Sequence, residues 1–310
     1  MKFALVFPGQ GSQSVGMMNA YGDTPVLRAT FDEASAALGR DLWAMAAEGP
    51  AEILSQTVNT QPLMLTAGIA AWRLWREAGG AIPAIVAGHS LGEYSALVAA
   101  GVMSLGDAVP LVEFRAQAMQ DAVPAGTGAM AAVLALDADR VKAICAEVAQ
   151  DQVVEAVNFN SPEQTVIAGD KAAVERAAEA CKGAGAKRAV MLPVSAPFHC
   201  ALMRPAAERL RERLAQVPLR APEIPVVNNV DVASLSDPER IRDALVRQAA
   251  APVRWVETMR AMQQAGVSHV YECGPGKVLA GLVKRCADGL AGAAMADIAG
   301  VEAAVAATKE

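Results

Sequence analysis

A serine held between glycines at the end of an apolar run is the first residue of this chain whose setting suggests chemistry. Ala84-Ile85-Val86-Ala87 leads into Gly88-His89-Ser90-Leu91-Gly92 and leaves through Glu93-Tyr94-Ser95-Ala96-Leu97, which reads as a strand, a tight turn and a helix. That order is a nucleophile elbow: the turn holds the hydroxyl clear of the backbone, and the glycines remove side chains that would collide there. The helix beginning at Leu91 aims free N–H groups and a positive dipole end at the space where an acyl oxyanion would form. A serine hydroxyl is a weak nucleophile and needs a base, for which the chain offers three histidines. His89 adjoins Ser90, so its side chain should point away and pack beneath the turn. His269 lies in a strand-like run and reads as a core residue. His199, in Ser195-Ala196-Pro197-Phe198-His199-Cys200, sits on a Pro-containing loop that would border a cleft, and it is the candidate base.

Arg115 is the third informative residue. Its neighbours at helical spacing are Leu111, Val112, Ala118 and Met119, so its guanidinium lies on an apolar stripe. Such an arginine calls for an anion, either a ligand or a buried acidic partner such as Asp121, Glu113 or Glu93.

The elements that must position these residues alternate strand and helix. Phe3 to Phe7 reads as a buried strand ending in the loop Pro8-Gly9-Gln10-Gly11-Ser12-Gln13. Helical periodicity follows over Val26 to Leu38 and Leu63 to Trp75, then a strand over Ile82 to Ala87, the elbow, a helix to about Ala100 and another around Val109 to Met119. This alternation predicts an α/β fold with a mostly parallel sheet covered on both faces. Between residues 126 and 192 the pattern becomes β-α-β-β-α-β: strand Ala129 to Leu136, helix Asp139 to Ala149, strands Val153 to Phe159 and Thr165 to Ala168, helix Lys171 to Lys182, strand Arg188 to Leu192. It predicts a ferredoxin-like subdomain inserted into a larger catalytic unit made of residues 1–125 and 193–310. In that larger unit, strands are expected near Pro225 to Asn228 and Val267 to Cys273. Helices are expected at Pro205 to Gln216, Pro238 to Ala249, Val256 to Ala265 and near Val301.

Composition narrows the classes. A net charge of −6 without a Lys/Arg block argues against nucleic acid as a partner, and the pairs Lys187-Arg188 and Lys284-Arg285 read as solvated surface. No apolar run approaches the ~18 residues of a membrane span, and the N-terminus lacks a signal peptide's core, so a cytoplasmic protein without membrane association is expected. Five scattered cysteines without a Cys-x-x-Cys pair suggest reduced thiols, with neither a disulfide framework nor a metal site.

Taken together, these motifs resemble the malonyl-CoA:acyl carrier protein transacylases of type II fatty acid synthesis, over nearly the whole chain. The resemblance rests on Phe7-Pro8-Gly9-Gln10-Gly11-Ser12-Gln13, Gly88-His89-Ser90-Leu91-Gly92-Glu93-Tyr94, Arg115, Gly126-Thr127-Gly128-Ala129-Met130, Asn158-Phe159-Asn160-Ser161-Pro162, Pro197-Phe198-His199, Val227-Asn228-Asn229 and Gly274-Pro275-Gly276. It implies that Ser90 is acylated, that His199 is its base and that Arg115 pairs with the malonyl carboxylate. It further implies that the Gln248 main-chain carbonyl orients the histidine, and that N–H groups of Gln10 and Leu91 form the oxyanion hole. Phe198 and Leu91 resemble the bulky residues that related enzymes selecting unsubstituted malonyl place beside the acyl group. The implied partners are malonyl-CoA and a phosphopantetheinylated acyl carrier protein, and the implied reaction calls for no metal or redox cofactor. A serine esterase or thioesterase would share the elbow and histidine, but an arginine clamp has no use on an ordinary ester. A non-catalytic carrier-binding module would leave both motifs coincidental.

Overall fold

Residues 1–309 are described by a computed structural model. Nine strands occur among them: β1 (Phe3–Phe7), β2 (Ile85–Gly88), β3 (Gly128–Leu134), β4 (Val154–Ser161), β5 (Gln164–Asp170), β6 (Arg188–Met191), β7 (Val226–Val227), β8 (His269–Cys273) and β9 (Ala291–Met295). They form two sheets. The first has the order β7-β2-β1-β8-β9 with every pairing parallel, and the second the order β4-β5-β3-β6 with every pairing antiparallel.

Alternation along β1 explains why the first sheet is buried on both faces. Phe3, Leu5 and Phe7 enter the larger core with the helices Thr57–Glu77 and Leu105–Asp121, whereas Ala4 and Val6 face the core built on Trp255, Met259 and Leu282. The second sheet is likewise covered twice. Val133, Val141 and Cys181 lie in the core between it and the helices Ala138–Val148 and Lys171–Gly183, while Met130, Val166 and Ala168 pack into the main core. Two irregularities in β4, at Ala156/Asn158 and Phe159/Ser161, bend that strand so that its backbone also bonds to Val253 across the junction.

The α/β expectation and the order of elements from 128 to 191 match, but several boundaries move. The strand expected from Ile82 begins only at Ile85: Ile82 is 56% exposed, and Pro83 has no N–H to give a ladder. The helix expected from Leu63 begins at Thr57 and carries Pro62 inside it; the Val58 carbonyl that Pro62 cannot bond accepts from Arg40 Nη2 at 3.2 Å instead. The strand expected over Pro225 to Asn228 shrinks to two residues, because the Asn228 side chain turns the chain by accepting from the Asp231 N–H at 2.7 Å. Edge strand β9 and the helix Val278–Cys286 had no counterpart in the sequence reading. The Ala-Gly-Ala-Ala-Met run of β9 contains no β-branched or aromatic residue to mark it.

All five cysteines are free and buried, Lys187, Arg188, Lys284 and Arg285 are exposed, and no helix among the described residues is long and apolar enough to cross a membrane.

Candidate active site

The site lies at the carboxyl ends of β1 and β2, where parallel sheets leave room for ligands. β2 ends at Gly88 and the next helix, Gly92–Ala99, starts four residues later, so the turn between them is tight. A Cβ on Gly88 would lie 1.8 Å from the Gly92 carbonyl oxygen, and one on Gly92 would lie 2.1 Å from that of Phe7. Only glycine fits at either place. Ser90 sits at the apex with φ of 53°, a left-handed conformation that a non-glycine residue holds only when its surroundings impose it. Asn229 helps impose it, accepting from the Ser90 N–H at 2.8 Å and donating to the Gly88 carbonyl at 2.8 Å.

His199 meets Ser90 from the loop after β6, itself left-handed with φ of 67°. Its Nε2 lies 2.6 Å from Ser90 Oγ, and its Nδ1 lies 2.9 Å from the Gln248 carbonyl oxygen. A carbonyl oxygen can only accept, so Nδ1 carries the proton and Nε2 is free to take one from the serine. Burial, reinforced by the Arg115 charge, lowers the His199 pKa to about 3, which keeps the imidazole neutral with Nε2 unprotonated. His89 points the other way, as expected of a residue beside the serine: its Nε2 lies 2.7 Å from Asn160 Oδ1, and its ring tilts over Trp255. His269 is only half-buried, with Nδ1 2.9 Å from Ser268 Oγ and its ring stacked on Tyr271.

Arg115 projects from the helix Leu105–Asp121, whose start is fixed by Ser104 accepting from the Asp107 N–H at 3.0 Å. It is 2% exposed, and none of the acidic residues considered above pairs with it: Glu113 binds Arg40, Asp121 binds Arg209, and Glu93 accepts from Asn229 and Gln248. Its guanidinium instead donates to two neutral amides, Gln61 Oε1 at 2.8 Å and Gln248 Oε1 at 2.9 Å, with Nη2 3.4 Å from Ser90 Oγ. It also lies 5.4 Å from the Tyr94 ring centroid. The guanidinium thus stays charged beside the serine without an ion pair, its direct acceptors being neutral while the Glu93 carboxyl acts on it only through space.

Ser90, His199 and Arg115 line one cavity of ≈ 120 Å³ together with Gln10, Leu91 and Phe198, and Met130, Asn158 and Leu192 form a facing wall. Among the described residues, the N–H groups of Gln10 and Leu91 have no acceptor within the protein, so both are free for an oxyanion. Gln248, wholly buried, stands behind the histidine rather than on the cavity wall. The site thus brings together Ser90, His199, Arg115, Gln10, Leu91 and Phe198, with Gln248 behind the histidine, while His269 lies elsewhere. What the sequence reading missed are Gln61, as a support for Arg115, and Asn229, as a brace for the elbow. Thr57 and Gln61, spaced i,i+4 in a buried helix and bonded to each other at 3.1 Å, were the available signal for the first. Nothing in sequence could bring Asn229 to Ser90, 139 positions away.

Such an assembly defines a class: an α/β protein whose serine–histidine pair is set to exchange acyl groups, with a cationic group beside the serine. The chain belongs to the acyl transferase domain family, whose model matches residues 4–304, and within it to the malonyl CoA-acyl carrier protein transacylases. The enzyme of that name from Salmonella typhimurium is 57% identical over 305 residues, covering 98% of this chain and 99% of the relative. The crystal structure of an acyl-carrier-protein S-malonyltransferase from Burkholderia pseudomallei superposes with a TM-score of 0.97 at 62% identity, covering 99% of this chain and 100% of the other. A malonyl-transacylase solved in complex with a type II PKS acyl-carrier protein gives 0.98 at 53% identity, covering 99% and 100%.

Proposed function

We propose that this enzyme transfers a malonyl group from malonyl-CoA to the phosphopantetheine thiol of an acyl carrier protein, supplying extender units for fatty acid synthesis in the cytoplasm. Ser90 attacks the thioester carbonyl while His199 Nε2 takes its proton, and the N–H groups of Gln10 and Leu91 receive the oxyanion. The tetrahedral adduct collapses, CoA leaves as its thiol with the proton from His199, and a malonyl-serine ester remains. The carrier's thiol then enters by the same steps in reverse. The Gln248 carbonyl holds the imidazole in the required tautomer, the role a carboxylate plays in a triad. The segment 126–192 serves as an inserted subdomain whose wall, with Phe198, limits the size of the acyl group.

The observation that carries this reading is Arg115: a buried guanidinium with no acidic partner, 3.4 Å from the serine oxygen, suits an acyl chain that ends in a carboxylate. Nothing in the site favours a hydrolase that passes the acyl group to water. Intact mass after brief exposure to malonyl-CoA, then after addition of the carrier protein, tests both half-reactions. A malonyl adduct that moves to the carrier is expected, whereas free malonate formed in its place overturns the assignment.

A further inference from the structure

We propose that Glu93 is a positioning residue for this reaction, fixing the orientation of the Gln248 amide and through it the Arg115 guanidinium, while bracing the serine turn through Asn229. The inference rests on the reading that Arg115 receives the malonyl carboxylate. Glu93 lies in the first turn of the helix that follows Ser90 and is 2% exposed, yet among the described residues it has no cation at ion-pair distance. A carboxylate so placed must be satisfied by hydrogen bonds. Its Oε2 accepts two, from the Asn229 N–H at 2.9 Å and from Gln248 Nε2 at 3.0 Å.

The second bond decides which way the Gln248 amide points. Gln248 Nε2 donates to Glu93 Oε2 and to the Ser90 carbonyl, each at 3.0 Å, which leaves Oε1 to accept from Arg115 Nη2 at 2.9 Å. Turning the amide over would set an NH₂ against the guanidinium and a carbonyl oxygen against two acceptors. The carboxylate therefore reaches the arginine by way of a neutral amide, which orients the guanidinium without compensating it by direct pairing. Gln248 also gives His199 its carbonyl partner, so one buried residue joins base and clamp. On its other side, Glu93 holds the backbone of Asn229, whose side chain accepts from the Ser90 N–H. Loss of the acceptor at position 93 should thus impair the clamp selectively and the turn generally.

The test compares kcat/KM for acylation by malonyl-CoA and by acetyl-CoA, beside melting curves, in wild type, Glu93→Gln, Glu93→Met, Glu93→Asp and Arg115→Ala. Glutamine keeps a carbonyl oxygen where Oε2 stands, and its malonyl-to-acetyl ratio is expected within about threefold of wild type. Methionine fills the space without an acceptor, and aspartate is one methylene short of reaching both donors. In each the ratio is expected to fall roughly tenfold, the order of one lost hydrogen bond to a charged group. If methionine does not fold, aspartate carries the comparison. Equal losses for both substrates in the methionine and aspartate variants, with the ratio still shifted by Arg115→Ala, overturn the role of Glu93 alone. A glutamine variant as unselective as methionine does the same. An unchanged ratio in Arg115→Ala overturns the underlying reading of the arginine.

Discussion

The two sheets contribute to the cavity in different ways. The parallel sheet and its helices hold Ser90, Arg115 and Gln248, and the loop that returns the chain to that unit carries His199. The antiparallel sheet and its flank give Met130, Asn158 and Leu192, side chains without charge. The difference teaches a division of labour. Groups that must meet to within a few tenths of an ångström are gathered on the parallel sheet, its helices and one adjoining buried loop, where close packing leaves little freedom. The smaller sheet supplies surface against which an acyl group is measured.

That division has a sharp consequence at Ser90. Replacing it with alanine is expected to cut transfer by at least about 10⁴-fold and to abolish the malonyl adduct, with the melting temperature unchanged. Adduct persisting on the variant, or mapping to a cysteine peptide, would break the comparison at its centre.

Arg115→Ala comes next. It strands the malonyl carboxylate in a dry site, at a cost of about 2–5 kcal/mol in kcat/KM for malonyl-CoA. Acetyl-CoA has no carboxylate to strand and should lose far less, while Arg115→Lys should rescue poorly because a point charge lacks the two-pronged geometry. Equal losses for both substrates with a lowered melting temperature would make the arginine structural.

The same charge should be readable in pH. With the His199 pKa lowered to about 3, the imidazole remains unprotonated well below the ordinary histidine range, so acylation by acetyl-CoA should persist as pH falls through 6 and 5. Removing the Arg115 charge makes protonation easier, and the acid limb should move to higher pH in Arg115→Ala. A limb near 6.5 in wild type, unmoved in the variant, contradicts the electrostatic account.

The smallest effects are expected along the wall. Phe198→Ser should raise the ratio of methylmalonyl to malonyl transfer, by no more than the ~1–3 kcal/mol that one methyl group is worth in a pocket, and Met130→Ala should act in the same direction more weakly. A ratio that does not move in either variant would show that these side chains do not measure the acyl group.

Local spacing was enough to determine much of this. A strand running into Gly-His-Ser-Leu-Gly can hardly be anything but a tight turn, since Gly88 and Gly92 have no room for a Cβ, and the β-α-β-β-α-β order of the smaller unit follows from periodicity over adjacent residues. The position of Arg115 on an apolar stripe also marked it as buried. Tertiary structure alone decided what that arginine meets. Asp121, Glu113 and Glu93 were equally available by spacing, and the fold gave the first two to other arginines at the surface and the third to amides. It alone also brought Asn229 and the side-chain amide of Gln248 to the serine, because hydrogen bonds between residues 139 and 158 positions apart depend on how helices and strands pack and leave no local trace. The edge strand β9 was invisible for a related reason: its alanines and glycine become a strand only because β8 offers them a ladder.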